Sequence, residues 1–317
     1  MTRSMARDTP SSTQGTSRTR GVPPRAFALN LLLSLRPGQW TKNLVIFAAL
    51  IFGRRLFELE AVGRAGLGFV DFCMLSGAVY VFNDLVDRHH DARHPTKARR
   101  PIASGALPVR AATTAATVLL GAGLALAFWL GSAFGLAALA YGALQLLYTY
   151  PLKHYVILDV LTIALGFVVR AVAGGLVIDV PVSSWLLLCT ILLALFLALS
   201  KRRHELVLLE GHAGAHRPIL AEYSPYLLDQ MIAVVTASTL TAYAFYTMSP
   251  ETVGKFGEGL IWTLPFPLYG IFRYLYLVHQ KRGGGSPSEM LLGDRPLLAC
   301  VALWVGAVVV IIYHPLS

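Results

Sequence analysis

The chain has 317 residues, of which 55% are hydrophobic and only 14% are charged. Soluble domains carry about 25% charged residues, so this composition excludes a soluble globular protein and indicates that most of the chain lies in lipid. The formal net charge of +10 is typical of a membrane protein with basic cytoplasmic loops and gives no ground for nucleic-acid binding.

The first 29 residues differ from the rest of the chain in composition. They are rich in Ser, Thr, Pro and Arg, they carry five arginines against the single acidic residue Asp8, and they contain no apolar stretch of the kind found in signal peptides. Such a composition cannot bury enough apolar surface to fold. The sequence therefore predicts a disordered, basic, cytoplasmic tail at residues 1–29 and a transmembrane catalytic domain at residues 30–317.

Nine apolar stretches follow the tail. A helix needs about 20 mostly apolar residues to cross the hydrocarbon core of a bilayer, and fewer where flanking side chains reach the interface. The nine stretches are 41–57, 66–84, 111–131, 133–150, 158–178, 184–200, 226–248, 259–279 and 296–315. They predict an all-α integral membrane protein with about nine transmembrane helices.

Basic residues are concentrated in every second loop between these stretches. The loops after the second, fourth, sixth and eighth stretches are basic, whereas the loops after the third and fifth have no Lys or Arg and the loop after the seventh has only Lys255. Arg54, Arg55 and Arg64, at the end of the first stretch and behind it, break the pattern. The positive-inside rule places the basic loops and the N-terminus in the cytoplasm. The sequence thus predicts a multi-pass protein of the bacterial cell (inner) membrane.

The second stretch ends in a row of polar residues. Asn83, Asp87 and Asp91 are spaced four residues apart, so on a helix they lie along one face, and Asp84 lies beside them. Carboxylates that converge at the end of a membrane helix repel one another unless a cation lies among them. Oxygen ligands favour Mg²⁺, which proteins bind through a few carboxylates and substrate phosphates. The alternative interpretation is a solvated acidic helix end that pairs with nearby arginines.

A basic loop follows directly at residues 94–105, and it contains Lys97 and Arg100 between two prolines. Acidic residues that bind a cation, next to basic residues that bind phosphate oxygens, form the arrangement that a metal–diphosphate complex requires. Because this loop is one of the basic ones, the sequence predicts that the site opens to the cytoplasm.

Two sequence motifs carry a family resemblance. The motif Asn-Asp-x-x-Asp-x-x-x-Asp at 83–91, followed by His-Pro-x-Lys-x-x-Arg-Pro-x-x-x-Gly at 94–105, resembles the first signature of the UbiA superfamily of intramembrane prenyltransferases. Tyr-Thr-Tyr-Pro-Leu-Lys at 148–153 and Gly-Phe-x-x-Arg-Ala-x-x-Gly-Gly at 166–175 are similar to that superfamily's fourth and fifth helices. The resemblance covers about 34–313. It implies a UbiA-like helical bundle whose active site opens to the cytoplasm.

The sequence departs from most of that superfamily at the end of the sixth stretch. Most members bind an isoprenyl diphosphate through a second Asp-rich motif at this place, whereas this chain has Ser-Lys-Arg-Arg-His-Glu at 200–205. A Lys/Arg cluster suits a separate phosphate, since Arg can pair with it bidentately. Together with Arg-Pro-Gly-Gln-Trp-Thr-Lys-Asn at 36–43, the cluster resembles the polyprenyl-phosphate phosphoribosyltransferase branch. Positive-inside anchoring is the alternative interpretation of the cluster.

The resemblance to that branch implies two substrates and a set of site residues. The donor is 5-phosphoribosyl 1-diphosphate and the acceptor is a polyprenyl (decaprenyl) phosphate, so pyrophosphate is released and the product feeds cell-wall arabinan synthesis. The expected ligands of Mg²⁺ are Asn83, Asp84, Asp87 and Asp91. The expected catalytic residues are Asp87, Asp91, Lys97 and Arg100. The expected substrate-binding residues are Lys42, Asn83, Lys153, Arg170, Lys201, Arg202 and Glu205.

Within this set, Lys201 and Arg202 are expected to hold the 5-phosphate of the donor, and Glu205 is expected to orient them. The further candidates for the phosphates of either substrate are Lys42, Lys153 and Arg170. The phosphate of the lipid is already ionised at neutral pH, so no strong general base is expected. Catalysis would come from positioning and from electrostatic stabilisation of the leaving group.

Two other functions remain open from the sequence. One is UbiA-type prenyl transfer from a prenyl diphosphate to an aromatic or isoprenoid-lipid acceptor, against which the missing second Asp-rich motif argues. The other is transport, against which the clustering of polar residues on one membrane face argues, because transporter sites tend to lie near the midplane at repeat interfaces. The expected partners are the two substrates and the bilayer, without nucleic acid. The sequence leaves the oligomeric state open, a homo-oligomer included.

Overall fold

Helices form the regular secondary structure of the residues that the computed structural model describes, which are 24–93, 97–208, 218–281 and 285–314. The α-helices are α1 (Pro24–Ser34), α2 (Ala48–Phe52), α3 (Leu59–Asp91), α4 (Val109–Leu130), α5 (Ser132–Thr149), α6 (Leu158–Val177), α7 (Ser184–Leu208), α8 (Pro225–Met248), α9 (Pro250–Phe256), α10 (Pro265–Gln280), α11 (Pro287–Gly293) and α12 (Arg295–Tyr313). Short 3-10 helices span Pro37–Phe47, Lys97–Arg99, Leu152–His154, Pro218–Glu222 and Glu258–Thr263. The predicted all-α class is confirmed.

Seven helices within the described ranges are long and apolar enough to cross a membrane, namely α3, α4, α5, α6, α7, α8 and α12. They correspond to seven of the nine predicted spans. The other two predicted spans, 41–57 and 259–279, are broken. The first consists of the 3-10 helix Pro37–Phe47 and the short α2, and the second consists of the 3-10 helix Glu258–Thr263 and α10. The chain is thus a multi-pass helical protein, but nine single-helix spans are not confirmed.

Local sequence accounts for both breaks. In the first segment the polar residues 41–43 interrupt the apolar run, and the side chain of Asn43 is bound by residues of α3 and α6. A 3-10 helix rises by about 2.0 Å per residue, so this segment covers more length per residue than an α-helix would. In the second segment Pro265 lacks the N–H that a continuous helix needs, and it stands instead near the start of α10.

The helix α1 begins at Pro24, so residues 24–29 are helical and the predicted disorder of the tail is wrong for them. Residues 1–23, which carry the rest of that prediction, lie outside the described residues. Phe27 of α1 packs against a buried cluster around Val81, beside the end of α3 and the start of α4. Other apolar side chains of α1 are exposed: Leu29, Leu32 and Leu33.

Consecutive spans from α3 to α8 run in opposite directions, and α10 brings the chain back so that α12 runs in the same direction as α8. The helix ends therefore lie at two levels. The C-terminal ends of α3, α5 and α7 lie at the same level as the N-terminal ends of α4, α6, α8 and α12, and we call this level the site end. Side chains connect the elements there, as in the hydrogen bond from Thr149 to Asn83 and the ion pair between Lys153 and Asp87. The described parts of the loops that the sequence identifies as basic all belong to the site end.

At the opposite end of the bundle, contacts with helix ends explain the positions of two of the three arginines that break the charge pattern. Arg64 donates to the backbone oxygens of Val177 and Leu130, at 2.6 Å and 2.7 Å, in the last turns of α6 and α4. Arg54 donates to the backbone oxygen of Ile312, near the end of α12, at 3.0 Å and 3.2 Å. A cation at a helix C-terminus satisfies unpaired carbonyl groups and interacts favourably with the helix dipole. Their place in the structure is therefore explained by helix capping.

An acidic side chain lies inside the bundle, in the middle of α3. Asp71 is fully buried, and neither of its carboxyl oxygens has a hydrogen-bond partner among the described residues. Gly123 of α4 faces it, since a Cβ atom at Gly123 would come within 3.5 Å of Oδ1 of Asp71. A buried polar group that lacks a partner costs about 1–3 kcal/mol.

Replacing Asp71 with leucine, which has the same branched shape without the polar oxygens, is expected to stabilise the fold by about 1–3 kcal/mol. The measurement is thermal unfolding of the purified protein in detergent. Asp71→Asn keeps a polar group at the same place and serves as the matched control, which should shift the unfolding midpoint less. A midpoint for Asp71→Leu below that of the wild type would contradict this prediction.

Candidate active site at the ends of helices α3 and α7

The acidic residues at the end of the second predicted span lie on α3, which stays helical as far as Asp91. Asp84 and Asp91 are buried, with 3% and 4% of their surfaces exposed. Arg100, from the loop after α3, donates to Asp84 at 3.0 Å and to Asp91 at 2.7 Å, while Lys97 lies 3.9 Å from Asp91. Arg36 donates to Asp84 at 2.5 Å from the segment after α1. The two buried carboxylates are therefore neutralised by arginine.

The other two polar residues of this face contact α5 and the 3-10 helix behind it. Thr149 donates to Oδ1 of Asn83 at 2.8 Å, and the ammonium group of Lys153 lies 4.0 Å from Oδ1 of Asp87. The side chain of Asp87 is 44% exposed, so it is the acidic group of this face that a ligand reaches most easily. The predicted site residues Lys97, Arg100 and Lys153 thus all come together with the acidic face.

The convergence of three carboxylates that the spacing predicts is not found. Among the described residues, no three Asp, Glu, His or Cys side chains are placed so that they could hold one metal ion. The reason is that Arg36 and Arg100 bind Asp84 and that Lys153 lies at Asp87. The chemistry of the donors still fits Mg²⁺, because one or two carboxylates and substrate phosphates suffice to bind this ion. Asp87 and Asp91, one helical turn apart, are the carboxylates that would hold it.

The helix α7 continues beyond the predicted membrane stretch to Leu208, so the basic cluster lies on a helix. The side chain of Arg202 is 2% exposed, and all three of its nitrogen atoms donate hydrogen bonds. Nε donates to Asp159 and Nη1 donates to Glu205, both at 2.7 Å, and Nη2 donates to the Tyr148 hydroxyl at 3.2 Å. Three of its five N–H groups thus donate to protein groups, and the almost complete burial of its side chain places Arg202 behind Glu205.

Lys201 is the more accessible cation of this cluster. Its side chain is 39% exposed, and its ammonium group lies 3.8 Å from Oε1 of Glu205. The other carboxyl oxygen of Glu205 accepts from Arg202. Glu205 therefore contacts both basic residues, which is the geometry that an orienting role requires.

Asp159, in the first turn of α6, was not among the residues predicted from the sequence. It is fully buried and accepts hydrogen bonds from Arg202 and, at 2.9 Å, from the hydroxyl of Tyr223. The Tyr223 oxygen also accepts from the backbone N–H of Ile157 at 2.7 Å. Burial raises the pKa of Tyr223 to about 12, so the phenol stays protonated and can donate to Asp159. An ionisable residue inside a predicted span is the sequence signal for such a partner.

Arg170, predicted to contact a phosphate, lies inside the bundle instead. It is 4% exposed, and its nitrogens donate to Asn43 at 2.8 Å, to the backbone oxygen of Gly166 at 2.9 Å and to the Tyr141 hydroxyl at 2.7 Å. Its guanidinium also lies over the Tyr141 ring, 4.6 Å from the centroid. These contacts make Arg170 a buried link between α6, α5 and the 3-10 helix Pro37–Phe47.

Lys42 is electrostatically coupled to both groups of charged residues. It is partly buried in the 3-10 helix Pro37–Phe47, and its charge is within electrostatic range of Arg36 on the acidic side and of Lys201 on the basic side. Arg36 was not among the predicted site residues, although the motif at 36–43 begins with it. The segment at 36–43, where the first predicted span starts, is thus close to both the acidic face of α3 and the basic cluster of α7.

Residues 44–292 match the UbiA prenyltransferase family. The chain is 32% identical over 305 residues to decaprenyl-phosphate phosphoribosyltransferase from Mycolicibacterium smegmatis. The aligned region covers 92% of this chain and 95% of that protein. It is 32% identical over 297 residues to the protein of the same name from Corynebacterium glutamicum, with 92% and 89% coverage. Its fold is similar to that of a UbiA homolog from Archaeoglobus fulgidus bound to GPP and Mg²⁺, with a TM-score of 0.69, 19% identity and coverage of 90% of this chain and 99% of that one.

Proposed function

Because the chain belongs to the UbiA prenyltransferase family, we propose that it is a membrane transferase that moves the 5-phosphoribosyl group of 5-phosphoribosyl 1-diphosphate to a polyprenyl phosphate. Pyrophosphate is the second product. The names of the relatives from M. smegmatis and C. glutamicum support the polyprenyl phosphate acceptor and the transfer of a phosphoribosyl group, since each is named decaprenyl-phosphate phosphoribosyltransferase. The role in cell-wall arabinan synthesis stays a prediction from the resemblance, as do the cytoplasmic face of the site and the inner-membrane location.

One observation carries the choice of donor. The end of α7, where most of the superfamily has acidic residues, presents Lys201 with Glu205 and Arg202 behind it. A prenyl diphosphate has one charged end, whereas phosphoribosyl diphosphate has a diphosphate at one end and a monophosphate at the other. Two separate charged regions, the acidic face of α3 and the basic end of α7, suit the second kind of molecule. In this proposal Lys201 contacts the 5-phosphate, and Arg202 is a positioning residue that holds Glu205.

The diphosphate end of the donor is assigned to the acidic face. Asp87 and Asp91 would hold Mg²⁺, which when bound neutralises the diphosphate, and Asn83 lies on the same face. Arg100 and Lys97 lie next to Asp91, so their charges are available to the phosphate oxygens as pyrophosphate leaves. Asp84 is the counter-ion that fixes Arg36 and Arg100.

The reaction in this proposal is a single substitution at C1 of the ribose. A phosphate oxygen of the lipid forms a bond to C1, the bond from C1 to the diphosphate oxygen breaks, and its electron pair leaves with pyrophosphate. No proton has to be removed from the nucleophile, because the lipid phosphate is ionised at neutral pH. The described residues then act by placing two charged substrates against each other and by stabilising the leaving group.

The donor can be tested with membranes that contain the protein. Labelled phosphoribosyl diphosphate and labelled prenyl diphosphate are supplied separately, each with decaprenyl phosphate and with an aromatic acceptor. Label from phosphoribosyl diphosphate should enter the lipid, and mass spectrometry should show a phosphoribosylated polyprenyl phosphate. Incorporation from prenyl diphosphate alone would replace this proposal by ordinary UbiA-type prenyl transfer.

The Lys201→Gln variant is expected to raise the KM for phosphoribosyl diphosphate by about ten- to a hundredfold, the effect of losing a hydrogen bond between charged groups. The KM for decaprenyl phosphate should change much less, and the unfolding midpoint should stay near that of the wild type, because Lys201 is 39% exposed. The matched control is Lys255→Gln in α9, at the opposite end of the bundle. If Lys201→Gln left the donor KM unchanged, the basic cluster would be an orientation anchor only.

A further inference from the structure

Two cations of the site have no acidic partner within the described part of the chain. Arg36, Arg100 and Lys201 each lie within 4 Å of a carboxylate. No carboxylate there lies within this distance of Lys42 or Arg170, and Lys42 also has no hydrogen-bond partner. The two lie within electrostatic range of each other. An uncompensated pair of partly or fully buried cations is unfavourable, so the site favours an anion there.

The chemistry of Lys42 defines the kind of anion. Three of the five N–H groups of Arg170 donate to Asn43, Gly166 and Tyr141, and its side chain is buried. Arg170 therefore supplies charge, and the ammonium group of Lys42, which is only partly buried, supplies the donors. An ammonium group can donate three hydrogen bonds. A phosphate monoester, with a charge of about −1.5 to −2 at neutral pH and three acceptor oxygens, matches two positive charges and a group of donors at one point.

The position of Lys42 separates the two monoesters that the proposed reaction contains. Its charge is within range of Arg36, which binds the acidic face, and of Lys201, at the basic end of α7. The donor would span these two regions, with its C1 atom between the diphosphate and the 5-phosphate. The nucleophile must approach C1 and therefore needs its own phosphate site near both donor anchors. Lys42 suits this site, because Arg36 of the same segment binds Asp84 of the acidic face and the neighbouring Asn43 accepts from Arg170.

The surroundings of Lys42 also suit a lipid more than a water-soluble ligand. Leu44, two residues further along the same 3-10 helix, is 49% exposed. The neighbouring helix α1 exposes further apolar side chains: Leu29, Leu32 and Leu33. The segment that carries Lys42 thus presents apolar side chains, against which an isoprenoid chain can pack.

We infer that Lys42 binds the phosphate head group of the isoprenoid lipid acceptor, with Arg170 supplying a second positive charge from behind. This inference rests on the proposed phosphoribosyl transfer. It assigns the substrate-binding residues to one substrate or the other. The acidic face and Lys201 serve the donor, and Lys42 serves the nucleophile. The ammonium group holds the attacking oxygen near C1 and lowers the repulsion between the lipid phosphate and the donor's phosphates.

The test compares Lys42→Gln and Lys42→Arg with the wild type in initial-rate assays. With phosphoribosyl diphosphate saturating, Lys42→Gln is expected to raise the KM for decaprenyl phosphate by about ten- to a hundredfold. When the decaprenyl phosphate concentration is raised in proportion to its higher KM, the KM for the donor should change by less than about threefold. Lys42→Arg keeps the charge and should recover most of the affinity for the acceptor. Lys201→Gln is the matched variant, for which the KM for the donor should rise and the KM for decaprenyl phosphate should change much less.

A binding measurement separates this inference from the proposed function. Immobilised wild-type protein without donor should retain radiolabelled decaprenyl phosphate, and Lys42→Gln should retain at least about tenfold less at the same lipid concentration. If the wild type fails to use phosphoribosyl diphosphate but shows this difference, the proposed donor is wrong and the lipid-phosphate site stands. If turnover occurs but Lys42→Gln changes only the donor KM, or retention does not change, the inference is overturned. Should Lys42→Gln unfold, Lys42→Met and Lys42→Arg give the same comparison.

Discussion

An Asp87→Asn variant is expected to lose transfer activity by roughly a hundred- to a thousandfold, because a metal that neutralises a leaving group contributes several kcal/mol. The substitution removes one negative charge and changes the volume of the side chain little. Asp87 is 44% exposed and 4.0 Å from Lys153, so the fold does not depend on it and the unfolding midpoint should stay unchanged. The measurement is the initial rate across a magnesium titration, where the variant should need more magnesium and reach a lower plateau.

Asp179→Asn is the matched control for this experiment. It makes the same carboxylate-to-amide change directly after α6, at the end of the bundle away from the site, and should leave the rate unchanged. Asp91→Asn should also lose activity, but Asp91 is buried against Arg100, so some loss of stability is expected with it. Wild-type rates for Asp87→Asn at limiting magnesium would show that Asp87 is not a metal ligand.

Replacing Arg202 with alanine is expected to destabilise the protein by about 3–5 kcal/mol, the cost of removing one partner from a buried ion pair. Arg202 is the cation that faces the fully buried Asp159, and it also holds Glu205 and Tyr148. The alanine variant keeps the buried carboxylate but loses this cation. The measurement is the unfolding midpoint in detergent, followed by the donor KM at a temperature where the variant is still folded.

Arg203→Ala, one residue further along α7, is the matched control. Arg203 pairs with Asp229, but the side chain of Asp229 is 38% exposed, and such an accessible pair is worth about 0–1 kcal/mol. The double variant Arg202→Ala with Asp159→Asn should be less destabilised than the sum of the two single variants. An unchanged midpoint for Arg202→Ala together with a strongly raised donor KM would mean that Arg202 contacts the phosphate directly.

Features with a local periodic signal could be predicted from the sequence. Runs of apolar residues gave seven of the spans, and the spacing of Asn83, Asp87 and Asp91 gave the face of α3 that meets Lys97, Arg100 and Lys153. The motifs at 83–91 and 94–105 gave the family, to which the match over residues 44–292 assigns the chain. The broken spans were harder to predict, because hydropathy measures how many residues of a stretch are apolar. It does not show whether these residues form one continuous helix.

The roles of the individual basic residues depend on partners that are distant in the chain. In the sequence Arg170, Arg202 and Lys42 are all basic residues in or next to apolar stretches, and the sequence does not show which of them has a protein partner. In the structure Arg202 meets Asp159, 43 residues away, and Arg170 meets Asn43, 127 residues away, so these two cations are bound while Lys42 is not. Spacing determines which side chains share a face of one helix, since that geometry repeats every turn. Which faces of different helices meet is decided by packing of the whole bundle, and only that packing decides which charge remains for a substrate.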